Sequence, residues 1–308
     1  MKHRNQRSCD DFCDYPLREV ISQYYFWHVT CGHSAETMRF YKFHLGIFED
    51  WCYENGLKDF EEIEVFDLRT FFAQYMEDHT RNGAAIEYRA VKAFFRWAWD
   101  EYEFERKNPI KKITITADPV HPIEGVNPDD VPKLFESAKQ GNNPERDCAV
   151  LAVLLDTGIR KSSFLQIRKC DVDPIAGSIF IRHMKARNQI TVYLGKKARR
   201  YLRKYYKSIT IANDDLFWRT ENGDPLSDNG FREILRRIAS RAGIPEYSAH
   251  DFRRYFALQT YRNGADIYAV AEMLGQSGVE VTRRYLAISD NDRKMIHAKT
   301  SPLDNRSV

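Results

Sequence analysis

ERDCAVLAVLLDTGIRKSSFLQI, residues 145–167, opens with a helix whose apolar residues run from Cys148 to Leu155 with no polar face, the mark of a segment buried on every side. Gly158 supplies the residue type that ends such a helix in the left-handed conformation, and Arg160 stands just past that end. Outward from it on the C-terminal side, SIFIRH (178–183) and QITVYL (189–194) alternate apolar and polar residues around the turn KARN (185–188). That is the pattern of a hairpin built from β-branched strands, with Lys185 at its turn. Helical periodicity then returns over 196–207, 227–243, 250–264, 266–275 and about 279–288, several of these segments closed by glycine. On the N-terminal side, NPDDVPKLFESAK (127–139) reads as a capped helix. The spacing predicts a domain over 127–308 that is mainly α with a small β-sheet.

The first hundred residues carry helical periods only. Ser34 is placed to cap a helix with apolar positions Met38, Tyr41, Leu45, Phe48 and Trp51. A later segment has Tyr88, Val91, Phe94, Phe95 and Ala98 as its buried stripe. On that helix Arg89, Lys92 and Arg96 fall at i, i+3 and i+7, one face able to meet phosphates or simply to be solvated. Four prolines in KNPIKKITITADPVHPIEGVNP, with no helical period, predict an extended linker over 107–126 behind a helical domain of 1–106.

At 308 residues the chain exceeds a usual single core, and 43% apolar and 13% aromatic residues suffice for two. The N-terminus lacks an apolar signal segment and no run reaches the length of a membrane span, so the expectation is a cytoplasmic protein with no membrane partner. Six irregularly spaced cysteines read as reduced thiols. Cys9, Cys13, Cys31 and His33 lack the paired short spacings of zinc modules, and no metal site is expected.

A net charge of +3 conceals an asymmetry. Before Val126 there are 16 Lys/Arg against 22 Asp/Glu, and from there on 31 against 22, so the halves carry −6 and +9. Residues 182–207 hold ten Lys/Arg and no acid: Arg182, Lys185, Arg187, Lys196, Lys197, Arg199, Arg200, Arg203, Lys204 and Lys207, interleaved with four tyrosines. Such density displaces counterions from a phosphate backbone, so nucleic acid is the expected partner, with Arg182, Arg187, Lys196, Lys197, Arg199 and Arg200 as candidate contacts beside Arg89, Lys92 and Arg96.

Four separated pieces, DTGIRKSSFLQI (156–167), RHMKARNQITVYLG (182–195), AHDFRR (249–254) and LGQSGVEVTRRYL (274–286), together resemble the catalytic domain of the tyrosine recombinase (phage integrase) family, of the Xer/integrase type. That family carries an arginine after a T-G-x turn, a lysine on a β-hairpin, an H-x-x-R pair at a helix start and a tyrosine nine residues after L-G-H. The matching positions are Arg160, Lys185, His250 with Arg253, and Tyr285. The helical first half resembles the family's core-binding domain on a looser pattern of the type S…T…Y…L…F…W and a helix ending at an N-P pair. The resemblance implies a clamp on double-stranded DNA, a specific recombination site and four protomers in the synapse. It also implies a 3′-phosphotyrosine intermediate and a C-terminal tail that docks on a neighbouring protomer.

The chemistry asks for these residue types independently. A phosphodiester under attack gains negative charge on its oxygens, which two fixed guanidinium groups hold by forked hydrogen bonds, a role for Arg160 and Arg253. Because arginines can take over the electrostatic role of Mg²⁺, this arrangement requires no metal or other cofactor. The phenol of Tyr285 needs help to lose its proton, and His250 is placed to take it. Lys185 is the candidate acid for the leaving 5′ oxygen. Two positions depart from the family pattern: Gln276 stands where the family has histidine or tryptophan and can contact a phosphate but carry no proton, and Ser163 replaces a usual acid. Two rival readings follow, a recombinase-fold DNA binder without cleavage and a helix-turn-helix regulator drawn over 256–278. A third keeps the chemistry but relaxes supercoils or seals hairpin ends.

Overall fold

The computed structural model describes residues 15–118, 125–182 and 189–276, together with Lys294, His297, Ala298 and Ser301. The chain divides into two compact units between Pro119 and Val120.

In the first unit α1 (Leu17–Thr30), α2 (Ala35–Glu54), α3 (Val65–Asp78) and α4 (Arg81–Tyr102) enclose a core rich in aromatic rings. Ser34 caps α2 by accepting the Thr37 N–H, as the sequence predicts. On α4 the whole expected stripe, Tyr88, Val91, Phe94, Phe95 and Ala98, is buried. Phe48, Phe60, Phe71, Phe94 and Phe95 pack edge-to-face or tilted at centroid separations of 4.8–5.9 Å, the geometry that ring quadrupoles favour. The segment after α4 is more ordered than its prolines suggest. Asn108 caps a 3₁₀ turn over Pro109–Lys112 and donates to the Phe95 carbonyl, Tyr88 donates to the Ile113 carbonyl at 2.7 Å, and Ile110 and Ile113 are buried. Asn108, Pro109, Ile110 and Ile113, which fall in the expected linker, are therefore buried in this unit.

The second unit is built around α6 (Pro144–Thr157), in which every residue from Arg146 to Leu154 is buried. Against it pack α5 (Val131–Lys139), α8 (Lys196–Ser208) and α10 (Ala249–Arg262). Each large apolar side chain so buried stabilises the fold by roughly 1.5–3 kcal/mol, which makes α6 the centre of this unit's stability. A short α7 (Lys161–Leu165) leads to an antiparallel sheet in the order β1 (Val172–Asp173), β2 (Ser178–Ile181), β3 (Ile190–Tyr193). The register pairs Ile179 with Val192 and Ile181 with Ile190, which turns Ile179, Ile181 and Val192 into the core. The predicted hairpin is thus present, while its turn, with Lys185 and Arg187, lies outside the described residues. α9 (Asp228–Ala242) ends at Gly243 with φ +64°, and α11 (Ile267–Met273) follows α10. Stacked rings of Phe164, Trp218 and Tyr205, 4.3 and 5.3 Å apart, fill the space behind α7.

Candidate active site

Gly158 creates the first element of the site. Its φ of +56° ends α6, and a Cβ there would meet the Phe256 ring at 2.8 Å and Leu274 at 3.0 Å. Only glycine lets the end of α6 lie this close to α10 and to the segment after α11. Two residues on, Arg160 takes an extended backbone as the cap of α7 and is half-buried.

Arg253, on the second turn of α10, is 2% exposed. Its Nη1 donates to the Gly158 carbonyl at 2.8 Å and its Nη2 to the Leu274 carbonyl at 2.9 Å. Arg160 reaches the same stretch, with Nη1 donating to the Gly275 carbonyl at 3.4 Å. A guanidinium cannot shed its proton in a protein, so burial of Arg253 is tolerable only because carbonyl oxygens receive its N–H groups. Three of the four pieces picked out in the sequence are thereby bolted together. Strand residues Ile181, Ile190 and Val192 line one small cavity with Arg160, Ser163, Arg253 and Leu274, which brings the base of the hairpin to the same place.

His250 lies in the first turn of α10, whose cap Ser248 is held by Asp251 in a reciprocal capping box. Desolvation lowers its pKa below the ordinary histidine value; the positive charges of Arg254 and Arg253 lower it further, and Asp251 pulls the other way. The imidazole is therefore neutral at pH 7 and able to accept a proton. Gln276 follows the left-handed Gly275 (φ +59°), and its backbone N–H donates to the Ala271 carbonyl. Ser163 is buried beside Arg160. Tyr285 lies outside the described residues, as do Cys9 and Cys13.

The candidate DNA contacts separate into classes. Arg89, Lys92 and Arg96 all stand exposed on one face of α4. Lys196, Lys197 and Arg200 are exposed on α8, while Arg199 is partly covered and donates to the Ile175 carbonyl. Arg182 is ion-paired with the buried Asp171 at 2.6 Å, so part of its charge is already balanced within the unit. One residue of structural weight escaped the sequence reading: Asp156, in the last turn of α6, accepts the Gly195 N–H at 2.6 Å and ties the start of α8 to the end of α6. Its only sequence signal was an acid beside a glycine turn.

Two guanidinium groups thus converge on one cavity, and a histidine kept neutral stands in the first turn of the helix that carries Arg253. The profile of the phage integrase family matches residues 125–292, more than half of the chain, and the chain belongs to that family, whose tyrosine recombinases cut and rejoin DNA at specific sites. Tyrosine recombinase XerC of Oceanobacillus iheyensis is 28% identical over 285 residues, 88% of this chain and 92% of its own. The crystal structure of XerH site-specific recombinase bound to palindromic difH substrate, a post-cleavage complex, matches with TM-score 0.71 at 18% identity, over 94% of this chain and 84% of its own. A lambda integrase tetramer bound to a Holliday junction matches with TM-score 0.71 at 16% identity, over 92% and 81%. These two structures establish the fold, mainly α with a small antiparallel sheet. Among the described residues no helix is long and apolar enough to cross a membrane.

Proposed function

We propose that this chain breaks and rejoins double-stranded DNA through a covalent bond between Tyr285 and a DNA 3′-phosphate. In the first step the Tyr285 oxygen attacks the phosphorus, an O–P bond forms, and the bond from phosphorus to the 5′ oxygen breaks. The phenolic proton passes to His250, neutral beforehand, and Lys185 delivers a proton to the departing 5′ oxygen. Arg160 and Arg253 hold the non-bridging oxygens as their charge grows, and the Gln276 amide donates a further hydrogen bond. The phosphotyrosine keeps the energy of the broken bond, so a 5′ hydroxyl from a second strand reseals the backbone by the reverse path. Arg89, Lys92 and Arg96 in a DNA-clamping domain of 1–106, with Arg187, Lys196, Lys197, Arg199 and Arg200 in the catalytic domain of 127–308, contribute backbone contacts; Arg182, held by Asp171, contributes the weakest. The lambda integrase tetramer bound to a Holliday junction supports four protomers as the working assembly here, acting in the cytoplasm.

The observation that carries the reading is the pair of hydrogen bonds from buried Arg253 to the Gly158 and Leu274 carbonyls, which holds three distant motifs at one cavity. The test is a nicked suicide duplex carrying candidate sites from the flanks of the encoding gene, read on a denaturing gel. A covalent protein–DNA band that disappears in Tyr285→Phe is expected. Binding to a recognised site without any covalent band would transfer the chain to the class of recombinase-fold DNA binders that do not cleave.

A further inference from the structure

α8 breaks two local rules of helix design at once. It carries Lys196, Lys197, Arg199, Arg200, Arg203, Lys204 and Lys207 and no acid. At 100° per residue all seven fall within an arc of about 160°, opposite the buried Ala198, Leu202 and Tyr205. Like charges therefore face one another at i, i+4 in Lys196/Arg200, Arg199/Arg203, Arg200/Lys204 and Arg203/Lys207, each pair destabilising. Three of the cations also sit in the first turn, where the helix dipole favours anions. Among the described residues none of the seven is in an ion pair, whereas most cations elsewhere on this unit's helices have a carboxylate: Lys133, Lys139, Arg146, Lys161, Arg232, Arg236, Arg237 and Arg254. Six of the seven line a single surface groove that, among the described residues, no other side chain lines. A face that costs local stability and, among the described residues, has no carboxylate partner is built for an external anion.

The course of α8 says where that anion lies. Its start is tied to Asp156 at the end of α6, four residues before Arg160. It then runs back along α6, so that Tyr205 and Lys204 lie beside Arg146 and Cys148 near the beginning of that helix. Lys207 is about 16 Å down the helix axis from Lys196, and among the described residues the groove shares none with the cavity of the two arginines. The distal cations are too far along the helix to act on the phosphate under attack.

We infer that the outer face of α8, through Arg203, Lys204 and Lys207, is a second DNA-backbone site that holds a stretch of duplex away from the cleaved phosphate. The inference rests on the recombinase reading for the choice of polyanion, since duplex DNA is the polyanion that such a protein meets. A duplex presents one negative charge per ~1.7 Å of axis, matched to a row of cations spread along a helix.

The electrostatic part of DNA binding is independent of sequence, so the test needs no knowledge of the recognised site. Affinity of the full chain for a random-sequence duplex several helical turns long is measured against salt for the wild type and for R203Q/K204Q/K207Q. Three lost phosphate contacts at ~0.9 each lower the slope of log K against log [salt] by about 2.7. The charge-conserving variant R203K/K204R/K207R keeps the wild-type slope. The thermal midpoint of the neutralised variant at low salt is unchanged or raised, because repulsion has been removed, and this separates lost binding from lost folding. A neutralised variant that is folded and keeps the wild-type slope to within half a contact overturns the inference. Covalent capture by the wild-type chain is scored separately and bears only on the recombinase reading.

Discussion

Each unit of this chain buries an ionisable side chain almost completely, and the two are treated in opposite ways. In the first unit Glu87 on α4 is fully buried, with one carboxyl oxygen 2.6 Å from His44 Nδ1 and the other without a hydrogen-bond partner among the described residues. Desolvation pushes Glu87 up to about 8 and holds His44 below its ordinary value, so near pH 7 both are mostly neutral, with a carboxyl O–H donating to the imidazole. In the second unit Arg253 cannot give up its charge, and the fold supplies carbonyls from Gly158 and Leu274 to keep it. A buried acid that is allowed to become neutral is part of the packing. A buried cation has to keep its charge, and here backbone carbonyls help to hold it, those of Gly158 and Leu274 for Arg253 and that of Arg219 for Arg146.

The strongest way to break this contrast is to replace Arg253. Arg253→Ala removes charge from the cavity and leaves two buried carbonyls without their donors. Single-turnover cleavage of a suicide duplex should slow by roughly 10²–10³, the usual cost of a lost transition-state donor. Stability should fall by about 1–3 kcal/mol for the orphaned carbonyls. Arg253→Lys keeps the charge but not the fork, so it recovers only part of the rate. A rate for Arg253→Ala within threefold of wild type would place Arg253 with Glu87 as a packing residue. Next in size is Gly158→Ala. It combines a left-handed backbone, costing about 1–2 kcal/mol for a non-glycine residue, with a Cβ pressed against Phe256 and Leu274, about 1–3 kcal/mol more. Denaturant unfolding and the cleavage rate should both report it, since Arg253 reads the Gly158 carbonyl.

The two regions also differ in how far their residues announced them. Arg160, His250 and Arg253 could be picked out because they match motif positions of the family that the sequence resembles, and the structure brings Arg160 and Arg253 to one cavity. The hairpin was legible because β-branched residues alternate on either side of a polar turn, and the observed register follows that alternation. Residues 107–113 were misread as linker because proline signals an end to α-helix, whereas here Pro109 opens a 3₁₀ turn that Asn108 caps and the core accepts. The Glu87–His44 pair could not be read at all. It joins positions 43 residues apart on different helices, and an isolated Glu in a helix looks like any solvated residue. α1 was not singled out although its buried Leu17, Val20, Ile21, Tyr24 and His28 keep a helical period, and the two-residue β1 is too short to show one.

The Glu87 side of the contrast is sharpened by isosteric replacement. Glu87→Gln substitutes a neutral group that still donates to His44, so at pH 7 the first unit should keep its stability to within about 1 kcal/mol, while Glu87→Ala should lose about 1–3 kcal/mol by orphaning the imidazole and opening a cavity. A folded-state value raised above the unfolded one means that the stabilising protonated form is fully present below about 4.5 and is lost as pH rises towards about 8. Stability of the wild type relative to Glu87→Gln should therefore decline across that window. On the acid side His28, lowered to about 4 chiefly by burial and next by His33, contributes stability that is present above 6.5 and lost as pH falls from there towards about 4. A difference between the two proteins' denaturation midpoints that stays constant from about pH 4.5 to 8 would show Glu87 to be ionised in place, since His28 contributes equally to both.

The smallest expected effect concerns His250, which stands between the two behaviours: its neutral form is favoured, as at Glu87, and the proposed reaction asks that form to accept a proton. After desolvation, the largest influence lowering its pKa is the charge of Arg254, which is itself paired with Asp251 at 2.9 Å. Arg254→Gln removes that positive charge and also frees Asp251 to act on the imidazole. Both changes raise the His250 pKa, so a larger fraction is protonated at mildly acidic pH and unable to accept the Tyr285 proton. The acid limb of the cleavage profile should move to higher pH by a fraction of a unit, with the plateau rate above pH 8 within about threefold of wild type. If the limb stays in place while the plateau drops, Arg254 acts on the DNA and not through the histidine, and the proton acceptor for Tyr285 has to be sought elsewhere in the cavity.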